Sequence, residues 1–411
     1  MAAVFKKSFG YYYYVNNQVN IEDCIKKLTV PTENTKTEAL IQFIESIEDV
    51  PLPRNNSGLW DVFIGTHSVT WNSGMPDKVY YPILFRFHHS LTDGYHLITT
   101  IFGNFSDAKL ANEKFPKSKK HTNSTFKRIY VNLRQLYEMV AFPWKFFLTI
   151  VFGNSNTLCK TKLQNKKIFN FYADKDKRYF QVVKEIKKHF RGVSFTNIIL
   201  AAISSSFSNY FLKNISTIST YVPIITPEIP EATELLLVQY QDNKSSLICK
   251  NKLCYFIRYL PIHKNYSTLQ RLNIVDNQGG FSSNSYYIMA TYNYLNFLFS
   301  TFPDIIIKKV LKLVPTTAIV SNLPAPPKTT CLSGNSLEDI ITFSICRSLL
   351  NTGISIVILT YGSRLQISLS ADVAVISSKE EINNMLHNIY SSLDELHQQI
   401  SINNNAVFKK S

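Results

Sequence analysis

Val79-Tyr80-Tyr81-Pro82-Ile83-Leu84-Phe85-Arg86-Phe87-His88-His89-Ser90-Leu91-Thr92-Asp93-Gly94 is an apolar run that ends in two histidines, with an aspartate and a glycine just beyond. Its β-branched, aromatic and aliphatic residues predict a strand over residues 80–87, and Tyr95-His96-Leu97-Ile98 is suited to open a helix. The histidines then stand at a strand end, where a loop can hold an imidazole out to a pocket while the sheet beneath keeps it still. Imidazole exchanges its proton near neutral pH, so the arrangement suits a general base. Upstream, Leu59-Trp60-Asp61-Val62-Phe63-Ile64 reads as a partner strand, giving a hairpin that feeds the histidine loop.

The chain around this segment has 411 residues, 45% of them hydrophobic, enough for a large core and too long for one ordinary domain. Two lobes are expected, residues 1–155 and 156–411, joined where residues 107–135 and 153–167 turn polar and rich in Lys and Asn. With 44 basic against 29 acidic residues the net charge is +15, which favours anionic partners. No nucleic-acid recognition motif, glycine-rich phosphate loop or dinucleotide fingerprint accompanies that charge, so nucleic acid is not an expected partner.

Cys24, Cys159, Cys249, Cys254, Cys331 and Cys346 are scattered, without the paired spacing of a zinc site, and read as reduced thiols. The start of the chain, Met1 to Lys7, lacks the apolar stretch of a secretory signal. No run reaches the roughly 18 apolar residues of a membrane span. The nearest, residues 139–152, carries Pro143 and Lys145 and reads either as a buried helix or as an interfacial segment displaying Phe142, Trp144, Phe146, Phe147 and Phe152.

Elsewhere the pattern is mixed. Residues 38–47 form a helix or strand before Pro51-Leu52-Pro53 breaks the chain. Residues 160–191 hold eleven Lys or Arg against three Asp or Glu, with Phe180, Val183, Ile186 and Phe190 in helical spacing; they read as a solvated helix face or as a surface for phosphates or anionic lipid. A Ser-rich apolar helix over 195–212 leads to a short strand at 219–224. Near the end, strands over 353–359 and 364–369 flank Tyr361-Gly362-Ser363, and a helix covers 379–400. Helices alternating with strands predict an α/β (α+β) fold.

These segments carry a resemblance to the wax ester synthase and acyl-CoA:diacylglycerol acyltransferase family, within the chloramphenicol-acetyltransferase-like group. His88-His89-Ser90-Leu91-Thr92-Asp93-Gly94 fits that family's HHxxxDG box, and Leu59-Trp60 resembles its upstream Leu-Trp pair. Leu260-Pro261-Ile262 with Arg271-Leu272, Ser321-Asn322-Leu323-Pro324-Ala325-Pro326, and Thr352-Gly353 through Tyr361-Gly362-Ser363-Arg364-Leu365 to Ala371-Asp372 are similar to further segments in the same order. Two features depart from the family: Thr196-Asn197 stands where an Asn-Asp pair is usual, and the 58 residues before the Leu-Trp pair are fewer than usual.

The resemblance implies two lobes with mixed sheets and a tunnel between them, the family's C-terminal region falling at about 252–405. It implies an O-acyltransferase that moves a long-chain acyl group from acyl-CoA, as co-substrate and with no further cofactor or metal, to a fatty alcohol or diacylglycerol. His89 would be the general base. Asp93, the other residue assigned to the catalytic turn, would fix the loop through a cation rather than touch the substrate. His88, Gly94 and Asn322 would support: His88 on the strand's far side from His89, Gly94 by allowing close approach, and Asn322, Ser321 or backbone amides as donors to the thioester oxygen, with no choice among them. A membrane surface is an expected partner, at the endoplasmic reticulum or plasma membrane with the site on the cytosolic side.

Other readings compete with this one. His88 and Asp93 also have the His-x4-Asp spacing of a different lipid acyltransferase class, whose Pro-Glu-Gly-Thr segment is absent here. A metal held by His88, His89 and Asp93 is disfavoured because neighbours on a strand face opposite ways. The serious alternative is a catalytically inactive or truncated relative that binds acyl lipid or a membrane.

Overall fold

The two most regular alternating stretches near the end of the chain become the centre of the larger sheet. The computed structural model describes residues 3–16, 18–28, 37–48, 50, 52, 58–70, 77–105, 125–152, 162–190, 192–214, 221–228, 254–282, 285–314, 316–325, 328, 330–331, 334–344 and 352–408. The expected lobe boundary near 155 lies outside them.

In chain order the first part contains β1 (Ala3–Ser8), β2 (Tyr11–Asn16), α1 (Ile21–Cys24), β3 (Ile25–Leu28), α2 (Thr37–Glu48), β4 (Trp60–Gly65), β5 (Ile83–Phe87), α3 (Gly94–Phe105) and α4 (Thr125–Phe152). The second contains β6 (Lys167–Tyr172), α5 (Arg178–His189), α6 (Phe195–Asn214), β7 (Tyr221–Glu228), β8 (Cys254–Pro261), α7 (Thr268–Ser282), α8 (Ser285–Thr301) and α9 (Asp304–Lys312). It closes with β9 (Ala318–Pro324), the short pair β10 (Thr330–Cys331) and β11 (Asn335–Ser336), β12 (Ile354–Tyr361), β13 (Arg364–Asp372) and α10 (Lys379–Phe408).

The larger sheet runs β6-β13-β12-β9-β7-β8, with β9 parallel to both β12 and β7 and the other pairs antiparallel. A smaller mixed sheet, β3-β4-β5, belongs to the first lobe. The fold is therefore mixed α/β in two lobes, as expected.

Strand β13 is buried at all nine positions, and its alternation separates two kinds of contact. Leu365, Ile367, Leu369 and Ala371 join Ile354, Ile356 and Ile358 of β12 in the main core under α5, α6, α7 and α10. On the opposite face Arg364, Gln366, Ser368 and Ser370 bond in turn to Glu338, Asp339, Thr342 and Ser344, strapping an irregular segment across the sheet. The β12–β13 turn is Gly362-Ser363 with both φ positive, the two-residue geometry that matches strand twist.

Helix α6 has no exposed surface from Ile198 through Ile203, as expected of a helix enclosed on all sides. Its serines satisfy themselves on buried carbonyls: Ser206 Oγ donates to Met385 O at 2.8 Å and Ser208 Oγ to Ile262 O at 3.2 Å. The buried Arg271 guanidinium donates to Pro261 O and, at 2.7 Å, to His263 O. This explains why Leu260-Pro261-Ile262 and Arg271 occur together: the arginine closes the end of β8.

Four expectations are corrected or narrowed. The strand before the histidines starts at Ile83, not at residue 80; Tyr80 contributes one isolated bridge to Val69. Residues 38–47 resolve as helix, within α2. The basic stretch 160–191 is two elements, because Lys167–Tyr172 pairs with β13 as an edge strand before α5 begins. In α5, Val182, Val183 and Ile186 are buried while Lys184, Lys187 and Lys188 are exposed, a solvated face.

The fourth concerns α4, which begins at Thr125 inside the stretch read as a polar connection and continues through Pro143 to Phe152. One face docks on α8: Phe142 is buried with its ring 4.8 Å from that of Tyr294, and buried Glu138 pairs with Arg134 and Lys145. The other face displays Ile129, Leu133, Leu136, Val140 (72% exposed), Trp144 (63%), Phe147 and Val151. Spaced three or four residues apart, they form one apolar stripe. Among the described residues no helix is long and apolar enough to cross a membrane.

Candidate active site

The histidine segment stands on a rigid base that local sequence patterns do not reveal. Asp61 on β4 lies directly opposite Arg86 on β5 and is fully buried. The guanidinium grips it through Nε at 2.9 Å and Nη2 at 2.6 Å, and Lys26 of β3 adds a third contact at 3.1 Å. Arg86 Nη1 also donates to Ile47 O and Val50 O, both at 2.7 Å, tying the end of α2 to the same strand. The only sequence sign is an arginine within Ile83-Leu84-Phe85-Arg86-Phe87 facing an aspartate within Trp60-Asp61-Val62.

From this base the chain leaves β5 at Phe87. His88 N–H donates to Leu59 O at 2.7 Å, so the Leu-Trp pair acts as the last rung before the turn. Leu91 N–H donates back to His88 O at 3.0 Å, closing a four-residue turn in which His89 and Ser90 are the central residues. The strand alternation used to separate His88 from His89 therefore does not apply: both histidines lie past the strand end, and both are exposed. Ser90 N–H points at His88 Nδ1 from 3.3 Å, with Ser90 Oγ 2.7 Å from the same nitrogen. A backbone N–H can only donate, so in that contact the ring nitrogen is the acceptor.

Asp93 is buried and caps α3. Its Oδ1 accepts the His96 N–H at 2.8 Å, the N-cap geometry, and its Oδ2 is 2.6 Å from His96 Nδ1. Asp93 is thus joined to His96, which makes it a positioning residue for the helix that follows the turn. The sequence reading gives His96 a place only in the start of the helix and no bond to Asp93, although an aspartate and a histidine three apart at a helix start are a legible signal.

Gly94 brings two of the matched segments together. A Cβ there would lie 2.9 Å from Leu323 Cδ2, so a side chain at this position would have to push the tip of that leucine aside, and glycine lets the start of α3 pass close to β9 without it. Behind it Ile98 and Phe102 pack with Leu323, Leu359 and Tyr361, laying α3 on the outer face of the larger sheet.

Asn322 faces the other way, as alternation from Leu323 requires. Its Nδ2 donates to Thr196 Oγ1 at 2.9 Å at the start of α6, on the side of the sheet away from Leu323 and α3. Beside it, Asn197 accepts from Arg258 Nη1 at 3.0 Å and donates to Asp276 Oδ1 at 2.7 Å. Where an aspartate is usual, this chain has an amide relay with the negative charge moved to Asp276.

A tunnel between the lobes is not outlined by the described residues. A small apolar cavity of about 20 Å³ lies between α8 and α9, lined by Leu295, Leu298, Phe302 and Ile306 among others, and includes no residue of the histidine turn. Among the described residues no three His, Cys, Asp or Glu side chains converge as metal ligands.

Known proteins share part of this sequence and its fold. Residues 250–397 match the family described as the WS/DGAT C-terminal domain. A search of the curated proteins finds no match. Among solved structures, the wax ester synthase/diacylglycerol acyltransferase from Marinobacter aquaeolei VT8 aligns with a TM-score of 0.58 at 12% identity, covering 97% of this chain and 86% of that one. The trichothecene 15-O-acetyltransferase from Fusarium sporotrichioides aligns with a TM-score of 0.58 at 13% identity, covering 96% and 82%. The epimerization domain from the third module of tyrocidine synthetase B gives 0.55 at 10% identity, covering 97% and 85%. At these identities the likeness is one of fold. Residues 250–397 thus match the WS/DGAT C-terminal domain, within a chain whose mixed α/β fold is similar to those of the wax ester synthase/diacylglycerol acyltransferase and the trichothecene 15-O-acetyltransferase.

Proposed function

We propose that this protein is an acyl-CoA-dependent O-acyltransferase whose acceptor is a fatty alcohol or diacylglycerol, giving a wax ester or a triacylglycerol. The observation that carries the reading is the histidine turn itself: an exposed His89 just past a strand braced by the Asp61–Arg86 pair, with Gly94 beyond it set against Leu323 of the region that matches the family model. His89 is the general base. Its imidazole takes the hydroxyl proton as the alcohol oxygen bonds to the thioester carbon, which avoids a free alkoxide. As the tetrahedral centre collapses the carbon–sulfur bond breaks, and the imidazolium returns the proton to the departing CoA thiolate. No covalent enzyme intermediate is needed.

Negative charge on the thioester oxygen calls for preorganised donors. Asn322 is poorly placed for that task, since its amide is engaged with Thr196 on the α6 side. Ser321, which alternates to the α3 side, and backbone N–H groups are better placed.

The same reading sets the protein on a membrane surface at the endoplasmic reticulum or plasma membrane, with the site on the cytosolic side. The apolar stripe of α4 and the net charge of +15 support it, since such a helix lies in the headgroup layer of an anionic bilayer. Purified protein is expected to float with phosphatidylserine-rich vesicles and to lose binding in high salt and when Val140→Ser and Trp144→Ser are combined. Flotation unaffected by that pair removes α4 as the contact.

The function is tested by supplying the purified protein with radiolabelled palmitoyl-CoA and either hexadecanol or diacylglycerol, in the presence of those vesicles. Ester product with equimolar CoA release is the expected result. CoA release without ester, or neither with any alcohol, overturns the assignment.

A further inference from the structure

The tyrosine run near the start of the chain forms β2, and its hairpin with β1 touches both the second lobe and the histidine turn. The hairpin turn is Phe9-Gly10, both with positive φ, and it rests on the chain just before α9. Gly10 O accepts the Asp304 N–H at 2.8 Å, Tyr11 Oη donates to Thr301 O at 3.0 Å, and Lys7 Nζ lies 3.3 Å from the Asp304 carboxylate. A Cβ on Gly10 would lie 3.1 Å from Pro303 Cβ, so the fit there depends on glycine.

Three residues on, about 10 Å along the strand, Tyr14 Oη donates to Ser90 O at 2.6 Å. That carbonyl belongs to the same peptide unit as the Leu91 N–H, which closes the turn on His88 O. The peptide following His89 and Ser90 is therefore held at both ends: its N–H by the turn and its C=O by the tyrosine. A two-stranded ribbon is marginal alone, so its anchor at residues 301–304 supplies the stiffness that this grip requires.

We propose that Tyr14 is a positioning residue for His89, and that the β1–β2 hairpin is a tie from the second lobe that fixes the direction of the catalytic imidazole. The catalytic part of this inference rests on the acyl-transfer reading; the tie itself does not. Tyr14→Phe removes one hydroxyl from a half-exposed ring, and Gly10→Ala loosens the far anchor. Tyr13→Phe, one residue away on the ribbon, serves as control.

Amide hydrogen exchange at Leu91 is expected to quicken about tenfold in Tyr14→Phe, the weight of one hydrogen bond. The same direction is expected in Gly10→Ala, with no change in Tyr13→Phe and unchanged melting temperatures for both tyrosine variants. Acyl transfer by Tyr14→Phe is expected to fall about tenfold or more in kcat with KM for acyl-CoA held within about twofold, because a misaimed base costs rate rather than binding. A general loss of folded protein would not give that split. Leu91 exchange unchanged in both Tyr14→Phe and Gly10→Ala overturns the tie. If the wild-type chain transfers no acyl group while Leu91 exchange responds, the tie stands and the acyl-transfer reading fails. If acyl transfer proceeds and kcat does not change when exchange does, the positioning role is overturned.

Discussion

His89→Ala is expected to lower the rate of acyl transfer roughly a hundred- to ten-thousand-fold, the usual worth of a positioned general base. The side chain is exposed on a turn whose two framing bonds, His88 N–H to Leu59 O and Leu91 N–H to His88 O, involve backbone alone. Alanine keeps those bonds, so the melting curve should stay in place and the lost rate should report chemistry. KM for acyl-CoA should change little, because the base acts on the alcohol proton in the transition state and not on the bound thioester. Initial rates of labelled ester formation, measured beside thermal melts, check both halves. A variant that keeps more than about a tenth of the wild-type rate lacks the deficit a general base requires, and the mechanism then falls. The expectation is specific to position 89: Asp93 is engaged with His96 in the cap of α3, and its removal should act first on that helix.

Parts of the site that are local in sequence could be read from it. The apolar run, its end in two histidines and the start of α3 all lie within about two dozen residues, and the strand end, turn and helix follow from side-chain type and period. The closing hairpin was legible for the same reason: alternating Ile, Val and Leu around Gly362-Ser363 permit little else. What could not be read depends on pairs far apart in the chain. The Asp61–Arg86 brace, the Tyr14–Ser90 tie and the Asn322–Thr196 bond join residues 25, 76 and 126 positions apart. No periodicity announces such partners.

Local pattern also misled where one face of an element carries both polar and apolar residues. The polar start of α4 concealed a helix whose apolar stripe points outward. Lys167 concealed an edge strand, since a buried lysine in Lys167–Tyr172 is tolerable only once Asp372 is beside it.

That last pair sets the second large expectation. Asp372 ends β13 directly opposite Lys167 on β6, with no exposed surface, and its carboxylate meets the Lys167 ammonium at 3.0 Å. It also accepts backbone N–H groups from Gln164, Asn165 and Ala374 at 3.0, 2.8 and 3.0 Å. Asp372→Asn offers one acceptor oxygen in place of two and leaves the buried ammonium without its counter-charge. Breaking such a pair from one side costs about 3 kcal/mol or more, read as an earlier midpoint in urea unfolding. Adding Lys167→Met should recover part of the loss by removing the stranded charge.

The pH dependence gives a second, independent check. Burial alone would raise the Asp372 carboxyl, but the Ala374 and Gln164 N–H groups and the Lys167 ammonium together hold it below its ordinary value of 3.8. The unfolded chain therefore takes up this proton first as the solution is acidified. Its stabilisation is fully present above the unfolded value and is lost as pH falls through 3.8 toward the lower folded one. Stability of the wild type minus that of Asp372→Asn should be flat above about pH 5 and shrink below it. A difference that stays constant on acidification would mean that Asp372 is not held ionised by its partners, and that β6 joins the sheet by backbone pairing alone.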